Sequence, residues 1–265
     1  MDKCRHAVEQ AIAAERLEGW RPTDEQVADL GRLARGELPF GQYLAAYRSR
    51  HPAPVQPSKG PGRLFRRAKP YLIPGTELLR NNFGATSAAM LADLEFVATA
   101  GRLLTWQLWL ADGPVDVDAL DLRRMHQHVF ADVYAWAGQY RVTELRRGDT
   151  VFAPQAGVAE GAARIESAAR ELAGAELDEP GLAYELSRLY ADYNQIHPFR
   201  EGNGRTGTLL LHTVSALCGY RLDLSGFSRL EWYGASRDST PFRRDGRANH
   251  RPFLPLLRPA VRRPC

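Results

Sequence analysis

A chain of 265 residues that is 44% hydrophobic and 25% charged can bury a full core, which excludes wholesale disorder and leaves room for one large domain plus an appendage. The net charge of +4 comes from basic residues scattered along the chain rather than gathered in a stripe, so no nucleic-acid partner is expected. Cys4, Cys218 and Cys265 are odd in number and far apart, which gives neither a disulfide framework nor a C-x-x-C metal pattern. With no leader-like apolar core in the first twenty residues and no run long enough for a bilayer, the expectation is a cytoplasmic protein with no membrane partner.

Residues 2–19 place Ala7, Val8, Ala11, Ile12 and Leu17 at helical spacing and stop at Gly19. Two shorter helices follow, the first capped by Thr23 with Asp24 and Glu25 in its first turn, and Gly36 breaks the pair. "PAPVQPSKGPG" (52–62) holds four prolines and two glycines in eleven residues and reads as a linker. The spacing predicts a small helical unit over 1–51, a linker over 52–63 and a larger domain over 64–265. In the larger part, 86–111 and 116–138 carry helical patterns. "YRVTELRRGDTVFAP" reads as a β-hairpin around Arg147-Gly148-Asp149. Residues 156–174, 181–196 and 205–220 return to helix, and 226–262 reads as helix followed by an irregular tail. The expected fold class is all-α, a helical bundle with one hairpin.

The chemistry concentrates in "HPFREGNGRTGT" (197–208). Gly202, Gly204 and Gly207 spell G-x-G-x-x-G, but a dinucleotide fingerprint follows a strand, and here Leu182, Leu186, Leu189, Tyr190 and Tyr193 repeat at helical spacing. The context is helix, loop, helix. Free N–H groups at a helix N-terminus and glycines on both sides of Asn203 form a nest for an anion. Arg205 adds a guanidinium for a second phosphate. Glu201 beside such a nest calls for a divalent cation, and Mg²⁺ held by one carboxylate plus substrate phosphates is the usual arrangement. His197 then stands where a base would take a proton from an attacking nucleophile. Alone, His197 reads as a packed histidine and Glu201 with Arg205 as a surface i,i+4 pair. Their conjunction within nine residues carries the functional reading.

"HPFREGNGR" resembles the signature of the Fic family, H-x-F-x-[D/E]-G-N-G-R-x-x-R. Segments 71–84, 91–103 and 129–141 resemble those the family places before its signature, and 142–154 falls at its flap hairpin, so the resemblance covers about residues 64–262. It implies a Fic-type helical bundle with a hairpin flap that transfers AMP from ATP to a Ser, Thr or Tyr hydroxyl of a target protein. In that scheme His197 is the base and Glu201 binds Mg²⁺. Gly202, Asn203, Gly204 and Arg205 bind the nucleotide, with Thr208 at the last position of the signature. Thr143, Glu144, Leu145, Thr150 and Val151 of the flap would receive the target as an added strand.

The first fifty residues resemble the small helical antitoxins of Fic toxins, whose inhibitory helix reads [S/T]-x-x-x-E-[G/N]. The match is Ala14 to Gly19, which implies that Glu18, followed by Gly19, blocks the site from within the same chain. Two positions depart from the family pattern: Ala14 replaces a hydroxyl residue, and Thr208 replaces an arginine that contacts the γ-phosphate and the inhibitory glutamate. A charge-assisted contact of ~1.5–3 kcal/mol is lost there unless another group supplies it. Two alternatives stay open at this point: a Fic-fold transferase of another group (phosphate, UMP or phosphocholine), and a catalytically silent Fic-like binding module.

Overall fold

Helix α8, Asn203–Leu217, runs through the middle of the molecule, because residues 205–215 are buried on every side and a helix buried all round belongs at the centre of a bundle. The computed structural model describes residues 3–51, 69–148, 150–241 and 246–264. Around α8 pack α1 (Lys3–Glu18), α4 (Ala88–Ala111), α5 (Leu122–Phe130), α6 (Val158–Ala173) and α7 (Glu179–Ile196). Helices α2 (Asp24–Ala34) and α3 (Phe40–Arg50) lie against α4, and α9 (Arg229–Asp238) and α10 (Leu254–Ala260) complete the α-helices among the described residues. A two-residue ladder of β1 (Arg146–Arg147) and β2 (Thr150–Val151) forms the hairpin, with Arg146 opposite Val151. The expected linker over 52–63, the start of the larger domain at 64–68 and Asp149 in the hairpin turn lie outside the described residues.

Local chemistry explains the boundaries. Thr23 accepts from the Gln26 N–H while Gln26 reaches back to the Thr23 N–H, a capping box opening α2. Gly36 ends that helix unit at φ +72°. Ser87 and Asp178 cap α4 and α7; the Asp178 cap starts α7 at Glu179, ahead of Pro180, because proline is tolerated in a first turn. Residues 116–138 do not form one helix: Asp121 caps α5, which ends at Phe130, and turns follow to Gly138 at φ +78°. A second strand pair, β3 (Arg221–Leu222) with β4 (Val261–Arg262), joins the end of the chain to the loop after α8 and carried no readable sequence pattern. Two-residue strands are too short to alternate.

Helix α1 docks through a small-residue face. Ala7, Ala11 and Ala14 are buried at spacings of four and three, which lets the backbone approach α4 closely. The Gln10 amide staples its middle, donating to Asp223 Oδ1 (2.8 Å) and accepting from the Leu224 N–H (2.9 Å). Trp20 stacks on Phe96 of α4. From α3, Tyr43 donates to the Val97 carbonyl (3.0 Å) and Tyr47 to the Asp93 carboxylate (2.8 Å). Gly101 of α4 receives this contact without a side chain: a Cβ there would lie 2.8 Å from Tyr43 and 2.9 Å from Phe40. Gly101→Ala is therefore expected to destabilise the protein by about 1–3 kcal/mol through overpacking, read as a lower denaturant midpoint with an unchanged slope.

Candidate active site

His197 closes α7 in the left-handed region (φ 48°, ψ 63°) and is the non-glycine residue with positive φ among those described. Such a conformation costs on the order of 1–3 kcal/mol and persists only where the surroundings enforce it. Arg141 enforces it here. This arginine is 1% exposed, and its guanidinium donates to the carbonyls of His197 (2.8 Å), Thr143 (2.9 Å), Ala153 (2.5 Å) and Ile196 (3.2 Å). One side chain thus fixes the histidine's backbone and both ends of the flap.

The imidazole is held as well as its backbone. Phe152, just after β2, stacks on the ring at 3.7 Å between centroids. Nδ1 lies 3.3 Å from the Asn194 carbonyl, which sets Nδ1 as the protonated nitrogen and leaves Nε2 with its lone pair. Burial, and after it the Arg147 guanidinium 3.5 Å from Nε2, hold its pKa well below the usual histidine value. At neutral pH it is uncharged and able to accept a proton.

The loop after His197 is braced from within. Asn203 exchanges two hydrogen bonds with the Phe199 backbone (2.9 and 2.8 Å), and the Tyr193 hydroxyl donates to the Asn203 carbonyl (2.9 Å). Gly202 takes φ +79° at the N-cap of α8, and a Cβ there would overlap the Phe130 ring at 2.2 Å. His126, sandwiched between Phe130 and Phe199, accepts the Gly138 N–H at Nδ1 (2.8 Å) and so donates from Nε2 to the Glu201 carbonyl (3.0 Å). Burial drives its pKa down to about 3, which keeps it neutral for both bonds.

Glu201 Oε1 accepts the Gly202 N–H (3.1 Å), and Oε2 has no hydrogen bond to the described residues. Burial first and the Glu95 carboxylate second raise its pKa. One carboxylate oxygen left over beside a row of backbone N–H groups suits a hard divalent cation shared with phosphates. Among the described residues no group of three or more ligating side chains makes a cage by itself.

Arg205 turns inward. Its guanidinium is buried against Glu95 of α4 (2.5 Å), Thr99 Oγ1 (3.1 Å) and Glu15 of α1 (3.7 Å), with Glu201 at 4.0 Å and the Phe130 ring beneath it. Thr208 is 1% exposed and donates to the Arg205 carbonyl (2.9 Å), so its hydroxyl serves its own helix. In the flap, the Thr143 carbonyl serves Arg141, Glu144 accepts the Gln155 N–H (3.1 Å), and the Leu145 carbonyl accepts from Phe152 (3.3 Å). Thr150 and Val151 complete the two-residue ladder.

Helix α1 enters this site at its last turn. Glu18, the final helical residue, lies so close to Gly204 that a Cβ on that glycine would be 1.6 Å from Glu18 Oε1. Gly19 follows at φ +106° and carries the chain away. A carboxylate at the C-terminal end of its own helix is disfavoured by that helix's dipole, but at the N-terminus of α8 the dipole favours it. Glu18, Arg147, His197, Gly204, Trp232 and Tyr233 line a cleft that is nearly filled with α1 docked, its free volume about 10 Å³, far below the ~300–1,000 Å³ typical of small-molecule sites.

Glu95, His126, Arg141, Arg147, Tyr233 and Glu15 escaped the sequence reading. Glu95 and Glu15 carried a usable signal, each an acid at a position that the helical spacing turns toward the core. Glu15 is fully buried, and desolvation lifts its pKa to about 8 despite Arg205. Proton counting agrees: the single Thr99 hydroxyl proton faces both Glu15 Oε1 (2.5 Å) and the Glu95 carbonyl (2.8 Å), so a neutral Glu15 can donate to Thr99 while Thr99 donates onward. Because the folded pKa lies above the unfolded value, this contribution is full at pH below about 4.5 and is lost as pH rises through about 8. Between pH 6.5 and 8 the wild type should lose up to about 2 kcal/mol relative to Glu15→Gln, whose stability should not show this slope in denaturant titrations.

A model of the Fic/DOC family matches residues 116–215, and a model of the antitoxin VbhA matches residues 5–50. The probable protein adenylyltransferase y4lH of Sinorhizobium fredii is 35% identical over 158 residues, 59% of this chain and 80% of that protein. The probable protein adenylyltransferase Fic of Escherichia coli is 29% identical over 63% of this chain and 82% of its own length. Among solved structures, BepC of Bartonella tribocorum with bound AMPPNP aligns with a TM-score of 0.62 at 19% identity, over 74% of this chain and 97% of that one. A Fic-domain signalling protein of Bacteroides thetaiotaomicron aligns over 97% of this chain and 84% of its own, with a TM-score of 0.56 at 14% identity. The helical bundle is thus a Fic fold, its first helices match an antitoxin domain, and the chain belongs to the Fic/DOC family.

Proposed function

We propose that this chain transfers the AMP moiety of ATP to a hydroxyl side chain of a target protein, and that its antitoxin-like helices, joined through the Pro/Gly-rich segment, hold the reaction off. The observation that carries the reading is the placement of a neutral His197 and the Glu18 carboxylate around one cleft at the α8 N-terminus. His197 is a base whose Nε2 keeps its lone pair, with the Arg147 guanidinium 3.5 Å away, and Glu18 occupies the face of Gly204 that an anionic substrate would approach. Two relatives that carry the adenylyltransferase name, with most of their own length aligned, support the same chemistry.

In this scheme the flap aligns a target segment beside His197, and Nε2 accepts the proton of its Ser, Thr or Tyr hydroxyl. The oxygen attacks the α-phosphorus, the new P–O bond forms, and the bond to pyrophosphate breaks. The backbone N–H groups of Asn203 and Gly204, at the start of α8, would face the charge that develops on the phosphates. Glu201 would hold Mg²⁺, whose charge offsets that of the phosphates. Within one chain the inhibitory helix is presented at an effective concentration on the order of millimolar, so a lock lacking the signature arginine can still hold.

Purified wild type, Glu18→Gly and His197→Ala, given ATP labelled at the α or γ position with Mg²⁺, test this. Label from the α position should rise in Glu18→Gly, fall about 10²–10⁴-fold when His197→Ala is added, and vanish with a chelator. Label from the γ position would mark phosphoryl transfer instead. Retained target binding without any label from a nucleoside triphosphate would mark a silent module.

A further inference from the structure

A second cavity lies at the root of the flap, apart from the cleft at Glu18. Its free volume is about 390 Å³, within the ~300–1,000 Å³ typical of binding pockets. Tyr71, Arg80, Asn82, Trp136, Gln139 and Val142 line it. Tyr71 and Trp136 form an aromatic wall, edge to face with 5.2 Å between centroids. The Tyr71 hydroxyl accepts the Val142 N–H (2.9 Å), which fastens that wall to the first residue of the flap. One residue earlier, the Arg141 N–H donates to the Pro198 carbonyl (2.9 Å), so the cavity adjoins the loop that carries His197. Val142 is nonetheless 61% exposed, an apolar side chain left on the surface at the cavity's rim.

Charge around this cavity is unbalanced. The carboxylates of the neighbouring segments are engaged: Glu77 with Lys69 (2.7 Å), Asp132 with Arg102 (2.7 Å), and Glu144 with the Gln155 N–H (3.1 Å). Arg80 in the lining and Arg146 on β1 are exposed, and neither has an ion pair among the described residues. Strand β1 has β2 as its one neighbour, so among the described residues its other edge is open to pairing. A polypeptide added to that edge turns alternate side chains to opposite faces. Val142 and Arg147, whose guanidinium lies 3.5 Å from His197 Nε2, are five residues apart, at most ~17 Å of extended chain.

We propose that this cavity is a specificity pocket for the target protein: it seats a large apolar side chain (Leu, Phe or Trp), and an acidic residue beside that side chain pairs with Arg80. The inference deepens the transferase reading and rests on it, since it names the chemistry of the polypeptide that the flap receives. The anchor falls within about five residues of the modified hydroxyl, the reach from Val142 to Arg147. Burying such a side chain is enough to raise labelling about tenfold or more. A guanidinium–carboxylate pair adds geometric selectivity to it.

The probe is an array of short peptides, each with one central Ser, Thr or Tyr and its flanking positions varied one at a time. Glu18→Gly with α-labelled ATP and Mg²⁺ should label peptides that carry Leu, Phe or Trp at one position within about five of the hydroxyl roughly tenfold more than those with Ala there. Glu beside that position should raise the label further. Adding Val142→Asp should erase the apolar preference, and adding Arg80→Glu should turn the acidic preference into a basic one. Peptides without the anchor should change less than about threefold. Labelling with no positional preference, or a preference that survives both substitutions, overturns the pocket. If no peptide is labelled, binding of the chain to the same array decides: a preference that Val142→Asp erases keeps the pocket without the transfer, and no preference sinks the pocket. Leu64 and Phe65, outside the described residues, are the competing occupant. If Leu64→Ser with Phe65→Ser lowers the denaturant midpoint and Val142→Asp adds nothing to that loss, the chain's own segment fills the cavity and the proposal falls.

Discussion

A guanidinium that is 3% exposed must be neutralised where it stands, and the arrangement around Arg205 follows from that requirement. Glu95 supplies the close ion pair from α4, with the Tyr134 hydroxyl donating to its other oxygen. Glu15 reaches the same point from α1, and Thr99 bridges the two. With one cation and one paired carboxylate already present, a second buried carboxylate is charged only at a cost, which is why Glu15 holds its proton. The packing of α1 against α4 and α8 is therefore set by one buried charge as well as by apolar area. Helix α1 enters the electrostatics of the site three residues before Glu18 reaches Gly204.

The loop that carries the chemistry is fixed through its backbone. Arg141 binds the His197 carbonyl, His126 the Glu201 carbonyl, and Asn203 both polar groups of Phe199. None of these braces needs to touch a substrate. Together they hold a strained histidine and a left-handed glycine in one geometry, so the imidazole and the N-terminus of α8 are in place before any ligand arrives. Asn203, which the sequence placed among nucleotide contacts, uses its side chain inside the loop, where the exchange with Phe199 shapes the nest.

What the sequence made legible was local. Helix caps at Thr23, Ser87 and Asp178, the break at Gly36 and the glycines flanking Asn203 act over three or four residues, and the chain spells them out. His197, Glu201 and Glu18 could be singled out as candidates because the motifs that hold them are contiguous. Glu95, Arg141 and Tyr233 were not, since each acts across 39 or more residues of chain on a partner that only the tertiary fold brings near. The β3–β4 pair was invisible for the same reason, joining residues about forty positions apart through two-residue strands. Thr208 marked a missing charge, but only the fold shows which arginines stand nearby.

The presence of α1 in the same polypeptide as α8 has a consequence for stoichiometry. When a toxin and its inhibitor are separate chains, their ratio changes with synthesis and degradation, and one can outlast the other. Here every copy of His197 is made with its own Glu18, so on the proposed reading no shift in expression leaves the site without its inhibitor. Control by abundance is closed to such a protein. Whatever switches it on has to act on the shape or the covalent integrity of a single molecule.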